Sequence, residues 1–192
     1  MATPVTIANQ ALRHLGAAPI STFEQLSPAG EAVRGSWELV RDDCQRSHRW
    51  NFAKELGVGL SEVAGSDGSL WQLPADCLRV LRINDVDAGL SDAGEIGGRR
   101  IRLESDAVEI DYIRRVEDTE EWDPMFVTYF SFMLAAAVAP GLTASSASAD
   151  SMIQRAELAW RRAVAVNAIE TQPTVRRARD TSRTLANYET AN

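Results

Sequence analysis

The chain has 192 residues, of which 45% are hydrophobic and 24% are charged, a balance typical of a folded domain and not of a disordered chain. Its formal net charge is −7, which argues against tight binding of DNA because phosphate contacts are made by Lys and Arg. An acidic wall beside DNA would instead repel phosphate and let a duplex slide past.

The N-terminal part predicts two helices. Thr3-Pro4 and Ser27-Pro28 each combine a capping side chain with proline in the first helical position. Apolar residues recur at steps of three and four after both, and Gly16 ends the first helix. Trp50 and Phe52 alternate around Asn51, which predicts that the chain enters a strand there. The apolar stripe of the second helix comprises Ala29, Val33, Trp37, Val40, Cys44 and Ser47.

Residues 56–116 predict a small antiparallel sheet with one apolar and one polar face. Gly97-Gly98 lies between Ile96 and Ile101, a spacing that indicates a hairpin. The segment around Leu78–Ile83 has the strongest strand pattern.

The C-terminal part predicts two more helices and a basic tail. Asp123-Pro124 begins a helix that is apolar nearly all round and is therefore expected at the centre of the core. Pro140-Gly141 is predicted to end it, residues 143–149 to form a loop, and residues 150–170 to form the fourth helix. Its expected buried stripe consists of Ile153, Ala156, Trp160, Ala163 and Val164.

Together these elements predict an α+β protein with a four-helix bundle core, an inserted small antiparallel β-sheet, or wing, and an extended C-terminal arm. The predicted divisions are 1–55 for the N-terminal helices, 56–116 for the wing, 117–172 for the C-terminal core helices and 173–192 for the arm. The arm has too few large apolar residues to fold alone, so we expect it to become ordered on a partner.

Few features of the sequence indicate targeting or redox chemistry. The longest apolar run, residues 130–139, is too short to span a bilayer, and no basic region followed by an apolar core opens the chain. We therefore expect neither a membrane partner nor a secretory signal. Cys44 and Cys77 do not form a CxxC pair and are interpreted as buried free thiols.

Four motifs occur in order along the chain: I-A-N-Q-A-L-R-H-L-G at 7–16, H-R-W-N-F-A at 48–53, L-P-A-D-C-L-R-V at 73–80, and D-Y-I-R-R-V at 111–116 followed by W-D-P at 122–124. This ordered set, over roughly residues 4–170, resembles the head-to-tail adaptor proteins of tailed bacteriophages, and most of all the tail tubular protein A, or gatekeeper, family of short-tailed phages.

The resemblance implies a structural protein of the virion, located at the head-tail interface after assembly in the host cytoplasm. Such adaptors form a dodecameric homo-oligomeric ring that contacts the portal protein on one side and the tail nozzle or next tail component on the other. Double-stranded DNA passes through the ring without sequence-specific binding. The resemblance implies no enzymatic activity and no cofactor.

The predicted interaction residues lie mainly in the tail. Arginine side chains in an extended arm can make bidentate contacts with carboxylates of the portal, and a ring multiplies each weak contact. Trp71 and Trp122 are possible interface anchors, because tryptophan is enriched at interface hot spots. The candidate portal-binding residues are Arg176, Arg177, Arg179, Arg183, Leu185 and Tyr188.

Two alternatives remain open from the sequence. One is a head-completion protein of a long-tailed phage or phage-like particle. The other is a small metal-dependent hydrolase that uses the acidic cluster at 117–123, although negative charge before a helix is also favoured by the helix dipole. His14 and His48 are not near carboxylates in a metal-binding spacing, and we interpret both as structural or surface residues.

Overall fold

The computed structural model describes residues 3–63, 69–89, 94–143 and 146–171, with no side-chain description for 146 and 147. These residues form a mixed α+β fold, as predicted. The helices are α1 (Pro4–His14), α2 (Pro28–Arg46), α3 (Pro124–Thr143) and α4 (Ser146–Thr171). The strands are β1 (Lys54–Gly59), β2 (Ser61–Val63), β3 (Leu70–Gln72), β4 (Cys77–Ile83), β5 (Val86–Asp87), β6 (Glu95–Gly97), β7 (Arg100–Arg102) and β8 (Glu109–Arg114).

The strands form two small antiparallel sheets, where the sequence predicted one. The first sheet has the order β1-β8-β4-β5 and the second the order β2-β3-β7-β6. The chain leaves the first sheet for the second at Leu60, just after a register irregularity between Glu55 and Val58 at which Gly57 has φ +63°. Alternation of apolar residues indicates which face of a strand is buried but not which strands pair, so the split was not predicted.

The two sheets and the helices form three layers, with the first sheet in the middle. Leu81 and Ile113 of this sheet belong to the core shared with the helices. Ile83 and Ile110, on the same two strands, belong to a second core shared with the other sheet. The two central strands of the first sheet, β4 and β8, therefore contribute buried side chains to both cores.

Helix α3 is the centre of the helical layer, and α1, α2 and α4 all pack against it. Ten of its residues are buried, which confirms the expected core position. Within the described residues, α3 alone is long and apolar enough to cross a membrane. That property is weak evidence for a membrane span, because the core helix of a globular domain has the same composition.

The predicted helix starts are confirmed by their capping contacts. The Thr3 hydroxyl accepts a hydrogen bond from the Thr6 backbone N–H, and Ser27 accepts one from Gly30 at 3.1 Å. The Asp123 carboxylate accepts from the N–H groups of the first turn of α3, including that of Met125 at 2.7 Å. Each cap satisfies an N–H group that has no partner within the helix.

Three predicted boundaries were wrong. Pro140 does not end α3, which continues to Thr143, where the side-chain hydroxyl donates to the Ala139 carbonyl at 2.9 Å. The expected loop at 143–149 overlaps both helices, because α4 begins at Ser146. The segment that starts at Trp50 is not yet a strand, because residues Asn51–Ala53 form a 3₁₀ turn before β1.

The buried face of α4 matches the predicted one except at Ile153. Ile153 is 44% exposed, whereas Met152 is buried. Small side chains at Ala156, Ala159 and Ala163 continue the buried face and allow α3 to approach closely. The other predicted residues of the stripe, Ala156, Trp160, Ala163 and Val164, lie in the helical core or pack against it.

Candidate functional site

The predicted portal-binding arm lies outside the described residues. All six of its candidate contact residues follow Thr171, the last residue of α4. Portal binding by this arm stays a prediction from the sequence. The residues concerned are Arg176, Arg177, Arg179, Arg183, Leu185 and Tyr188.

The two candidate interface tryptophans are buried within the chain itself. Trp71 is 4% exposed, lies in the core between the sheets, and donates from Nε1 to the Leu103 carbonyl at 3.0 Å. Trp122 is 5% exposed, lies in the helical core, and donates to the Val116 carbonyl at 3.0 Å. Both rings fill internal cores, which leaves little ring surface for the interface that the sequence predicted.

The acidic cluster at 117–123 has local structural partners. Asp118 accepts from the backbone N–H of Glu120 at 2.9 Å, Glu121 forms an ion pair with Arg114, and Asp123 caps α3. In the part of the chain that the structure describes, no group of three or more His, Cys, Asp or Glu side chains could hold a metal ion. The geometry of the cluster is that of a capped connection before a helix.

The two histidines contact aromatic rings. His14 stacks on Phe132 with ring centroids 4.3 Å apart, and burial, together with the charges of Arg155 and Arg13, lowers its pKa. His48 makes an edge contact with Trp50, and burial is again the main cause of a lowered pKa. Both rings are therefore held mainly neutral at pH 7.

Both cysteines are free thiols of low reactivity. Cys44 is buried, and burial raises its pKa to about 12. Cys77 is partly exposed, and burial raises its pKa to about 11. Because the thiolate is the reactive form, neither residue has the properties of a nucleophile.

Residues of three of the four sequence motifs, those at 48–53, 73–80 and 111–116, meet where the helices join the first sheet. Asn51 donates from Nδ2 to the Asn167 carbonyl at 3.0 Å, and its N–H donates to the Asn167 side chain at 2.8 Å. Arg115, at the end of β8, forms an ion pair with Asp42 of α2 at 2.7 Å. These contacts join α4 and α2 to the chain segments that enter and leave the sheet.

Other motif residues close the same boundary. The backbone N–H of Arg115 donates to the Asp76 carbonyl at 2.7 Å, and the Tyr112 hydroxyl donates to the Asp76 carboxylate at 3.2 Å. The first motif acts elsewhere: Asn9 makes two hydrogen bonds, of 2.8 and 2.9 Å, with the backbone of Ile20 in the connection between α1 and α2. The polar side chains of the motifs are thus used to fix turns and junctions.

Sequence reasoning missed the residues that complete this boundary. Gln45 is fully buried and exchanges hydrogen bonds with the backbone of Val116, at 2.8 and 2.9 Å. Asn167 receives the contacts of Asn51 from a position 116 residues away. The only signal for Gln45 was an uncharged polar residue beside an apolar stripe, and Asn167 had none.

The structure also forms a cleft that the sequence did not predict, with a volume of about 440 Å³. It lies where the end of α2, strand β4 and the β6–β7 hairpin meet, and we call it the arginine cleft. Leu73, Val80 and Leu81 contribute apolar side chains to its lining. Its basic residues are Arg46, Arg49, Arg79 and Arg99.

No model of a protein family matches this chain, and no curated protein is significantly similar to it. The functional assignment therefore depends on the residues and on the geometry described above.

Proposed function

We propose that this chain is a head-to-tail adaptor of a tailed bacteriophage, a structural protein that forms a ring between the portal and the tail. The proposal starts from the ordered set of four motifs over residues 4–170. What supports it most is that three of these motifs, at 48–53, 73–80 and 111–116, meet where the helices join the first sheet. The last two of these motifs contact each other directly, since the Tyr112 hydroxyl donates to the Asp76 carboxylate and the Arg115 N–H donates to the Asp76 carbonyl.

A shared fold would explain why separate motifs meet at one junction. Motifs that merely recur by chance in a sequence have no reason to occupy one junction of the fold. A shared arrangement of helices and sheet instead requires the same capping, clamping and pairing residues at the same junctions. Asn51 contacts the end of α4, Asp76 contacts Tyr112 of β8, and Asp123 caps α3. Proteins that share this architecture would need residues with the same contacts at these positions.

In the proposed adaptor, each part of the chain has a geometric role. The four helices, with α3 in the centre, form the bundle that sets the packing of neighbouring subunits. The two sheets form the wing and present a surface to the nozzle or next tail component. Residues 173–192 contact the portal, and the net charge of −7 suits a channel through which DNA passes without binding.

Electron microscopy of purified particles tests the location. We expect a ring of this chain at the portal vertex, identified with an antibody or a fused tag. Particles in which the chain is absent from that vertex would refute the adaptor proposal, including the head-completion alternative, which predicts the same place in a long-tailed particle.

Deletion of residues 173–192 tests the arm separately. The shortened protein should retain the circular dichroism and thermal unfolding of the full chain, yet lose binding to purified portal. Exchange of all four tail arginines for glutamine tests the role of charge, and L185A/Y188A tests the apolar contribution. Equal portal binding by the shortened and full-length proteins would refute the docking role of the arm.

The hydrolase alternative makes opposite predictions. A connector assembles with portal in the presence of a chelator, whereas a metal-dependent hydrolase loses turnover under the same conditions. Turnover that requires a divalent metal and is abolished by Glu120→Gln would favour the enzyme. No contact among the described residues favours that function, so we do not propose it.

A further inference from the structure

The arginine cleft concentrates positive charge on an acidic protein. Its four arginines come from three separate parts of the chain, the end of α2, strand β4 and the β6–β7 hairpin. Arg46 and Arg49 contribute to a lowered pKa of Arg79, after burial, which shows that these guanidinium groups lie within range of mutual repulsion. The fold therefore holds like charges together at one place.

Three of these arginines lack a carboxylate partner among the described residues. Arg46 donates to the Leu78 carbonyl, Arg79 to the Arg46 carbonyl at 3.1 Å, and Arg99 to the Pro74 carbonyl. The fourth, Arg49, forms a long contact of 3.4 Å with Asp87. Each guanidinium has five N–H donors, so these contacts fix the side chains and leave most donors for a ligand.

The lining of the cleft indicates what kind of anion fits. Arginine forks bind carboxylates and phosphates in bidentate geometry, but the cleft also has apolar walls, with accessible side chains at Leu78, Val80 and Ile96. A nucleic-acid backbone has few apolar groups to cover such walls. A polypeptide with acidic and aliphatic side chains satisfies the arginines and the walls together.

The C-terminal residues of the same chain are poor occupants on grounds of charge. Residues 172–192 contain four arginines against one aspartate and one glutamate. Repulsion between like charges would oppose their entry into the arginine cleft. The occupant is therefore expected from another molecule.

We propose that the arginine cleft binds an acidic segment of a partner protein, one that places two or more carboxylates beside an aliphatic side chain. The arginines pair with the carboxylates, and the aliphatic side chain packs against the walls. The cleft would serve such a partner whether or not the chain forms a ring in a phage, so this proposal and the adaptor proposal can fail separately.

Peptide binding to the full-length protein tests the proposal. The probe is a fluorescein-labelled peptide of sequence EELEE, with QQLQQ as its neutral counterpart, and the readout is fluorescence anisotropy. We expect EELEE to bind at least about tenfold more tightly than QQLQQ, and its affinity to fall as salt is raised, because partly exposed charges are screened.

Variants assign the binding to the cleft. Arg79→Gln and Arg99→Gln should each weaken EELEE binding by at least about fivefold, since each removes a bidentate donor. Arg34→Gln is the matched control, because Arg34 is an exposed residue of α2 that donates to the Phe23 carbonyl outside the cleft. Arg99→Lys keeps the charge and should recover part of the loss, and thermal unfolding checks that each variant is folded.

Three outcomes would overturn the proposal. Equal binding of EELEE and QQLQQ would show that the arginines do not select carboxylates. Stronger competition by a 20-base-pair DNA duplex than by unlabelled EELEE at equal charge would assign the cleft to nucleic acid. Conversion of an oligomer into a monomer by Arg79→Gln and Arg99→Gln, without any peptide binding, would assign it to a second copy of this chain.

Discussion

The helical core and the second sheet are stabilised in different ways. In the helical core, Phe126 is fully buried and lies with its ring centroid 4.9 to 6.3 Å from five other aromatic rings. The second sheet has strands of three residues each, and Trp71 and Ile101 are the buried side chains that it contributes to its core. Short strands with a small core open more readily than a packed helix layer.

We therefore expect the helical core to be rigid and the second sheet to open more easily. The first sheet belongs to both cores, so the rigid part extends from the helices through its central strands. The second sheet depends on this support from one side. The arginine cleft lies between the two regions, with one wall from β4 and another from the β6–β7 hairpin, so a ligand there would link the rigid part to the adaptable one.

The largest effect is expected for Phe126→Ala. Loss of a fully buried aromatic side chain leaves a cavity and should lower the free energy of unfolding by about 3–5 kcal/mol. Urea unfolding followed by tryptophan fluorescence measures it. Leu39→Ala, at a position that is 76% exposed, is the control and should change stability little. A loss as small as that of the control would contradict the central role of the aromatic cluster.

A smaller and more local effect is expected for Ile101→Ala. This side chain is fully buried in the core between the sheets, and its truncation should cost about 2–4 kcal/mol. Hydrogen exchange should accelerate in β3 and β7 and remain slow in α3. Ile96→Ala, in the neighbouring strand and 42% exposed, is the control. If hydrogen exchange accelerated equally in α3, the second sheet and the helical core would open as one unit, contrary to the expected difference in stability.

Gln45→Leu tests the boundary between the two regions. The change leaves the buried backbone N–H of Val116 without its partner, while the Val116 carbonyl keeps the hydrogen bond from Trp122. It should cost about 1–3 kcal/mol. The same exchange at the exposed Gln154 of α4 is the matched control. Thermal unfolding measures both variants. A melting temperature of Gln45→Leu equal to that of the unmodified protein would show that this hydrogen bonding contributes nothing to stability.

The smallest effect is the dependence of stability on pH. Burial lowers the pKa of His14 and of His48 below the usual 6.5, so the unfolded chain binds more protons just below that pH. Stability should therefore be fully present above about pH 6.5 and fall as the pH drops below it. Urea unfolding between about pH 8 and pH 5.5 measures the change. The double variant H14Q/H48Q should show a flatter profile, and an unchanged slope would exclude both rings as its source.

Capping chemistry made the starts of the helices predictable, because Thr3, Ser27 and Asp123 each act on neighbours in sequence. The central position of α3 followed from its uniform apolar composition. The pairing of strands into two sheets was not predictable, because it depends on partners far apart in the chain, such as Trp71 and Ile101. The turn at Asn84-Asp85 was also not predicted, because both residues have positive φ and the sequence has no glycine there to indicate it.

The candidate sites show the same limit. The sequence makes Trp71 and Trp122 candidate interface anchors because tryptophan is enriched at interfaces, and within the chain both rings fill its own cores. The arginine cleft had no local signal, since Arg46 and Arg99 are 53 residues apart in sequence. A cluster of this kind becomes visible only when the sheets bring distant segments together.

The contact between Asn51 and the end of α4 has a mechanical consequence. Thr171 Oγ1 lies 2.8 Å from the Asn51 side-chain oxygen, and Asn167 holds the backbone of Asn51 one turn earlier. The last described residue is thereby anchored beside the start of β1. A pulling force applied beyond Thr171 would therefore act on α4 and, through Asn51, on the start of β1. The first sheet and the last helix would resist it together.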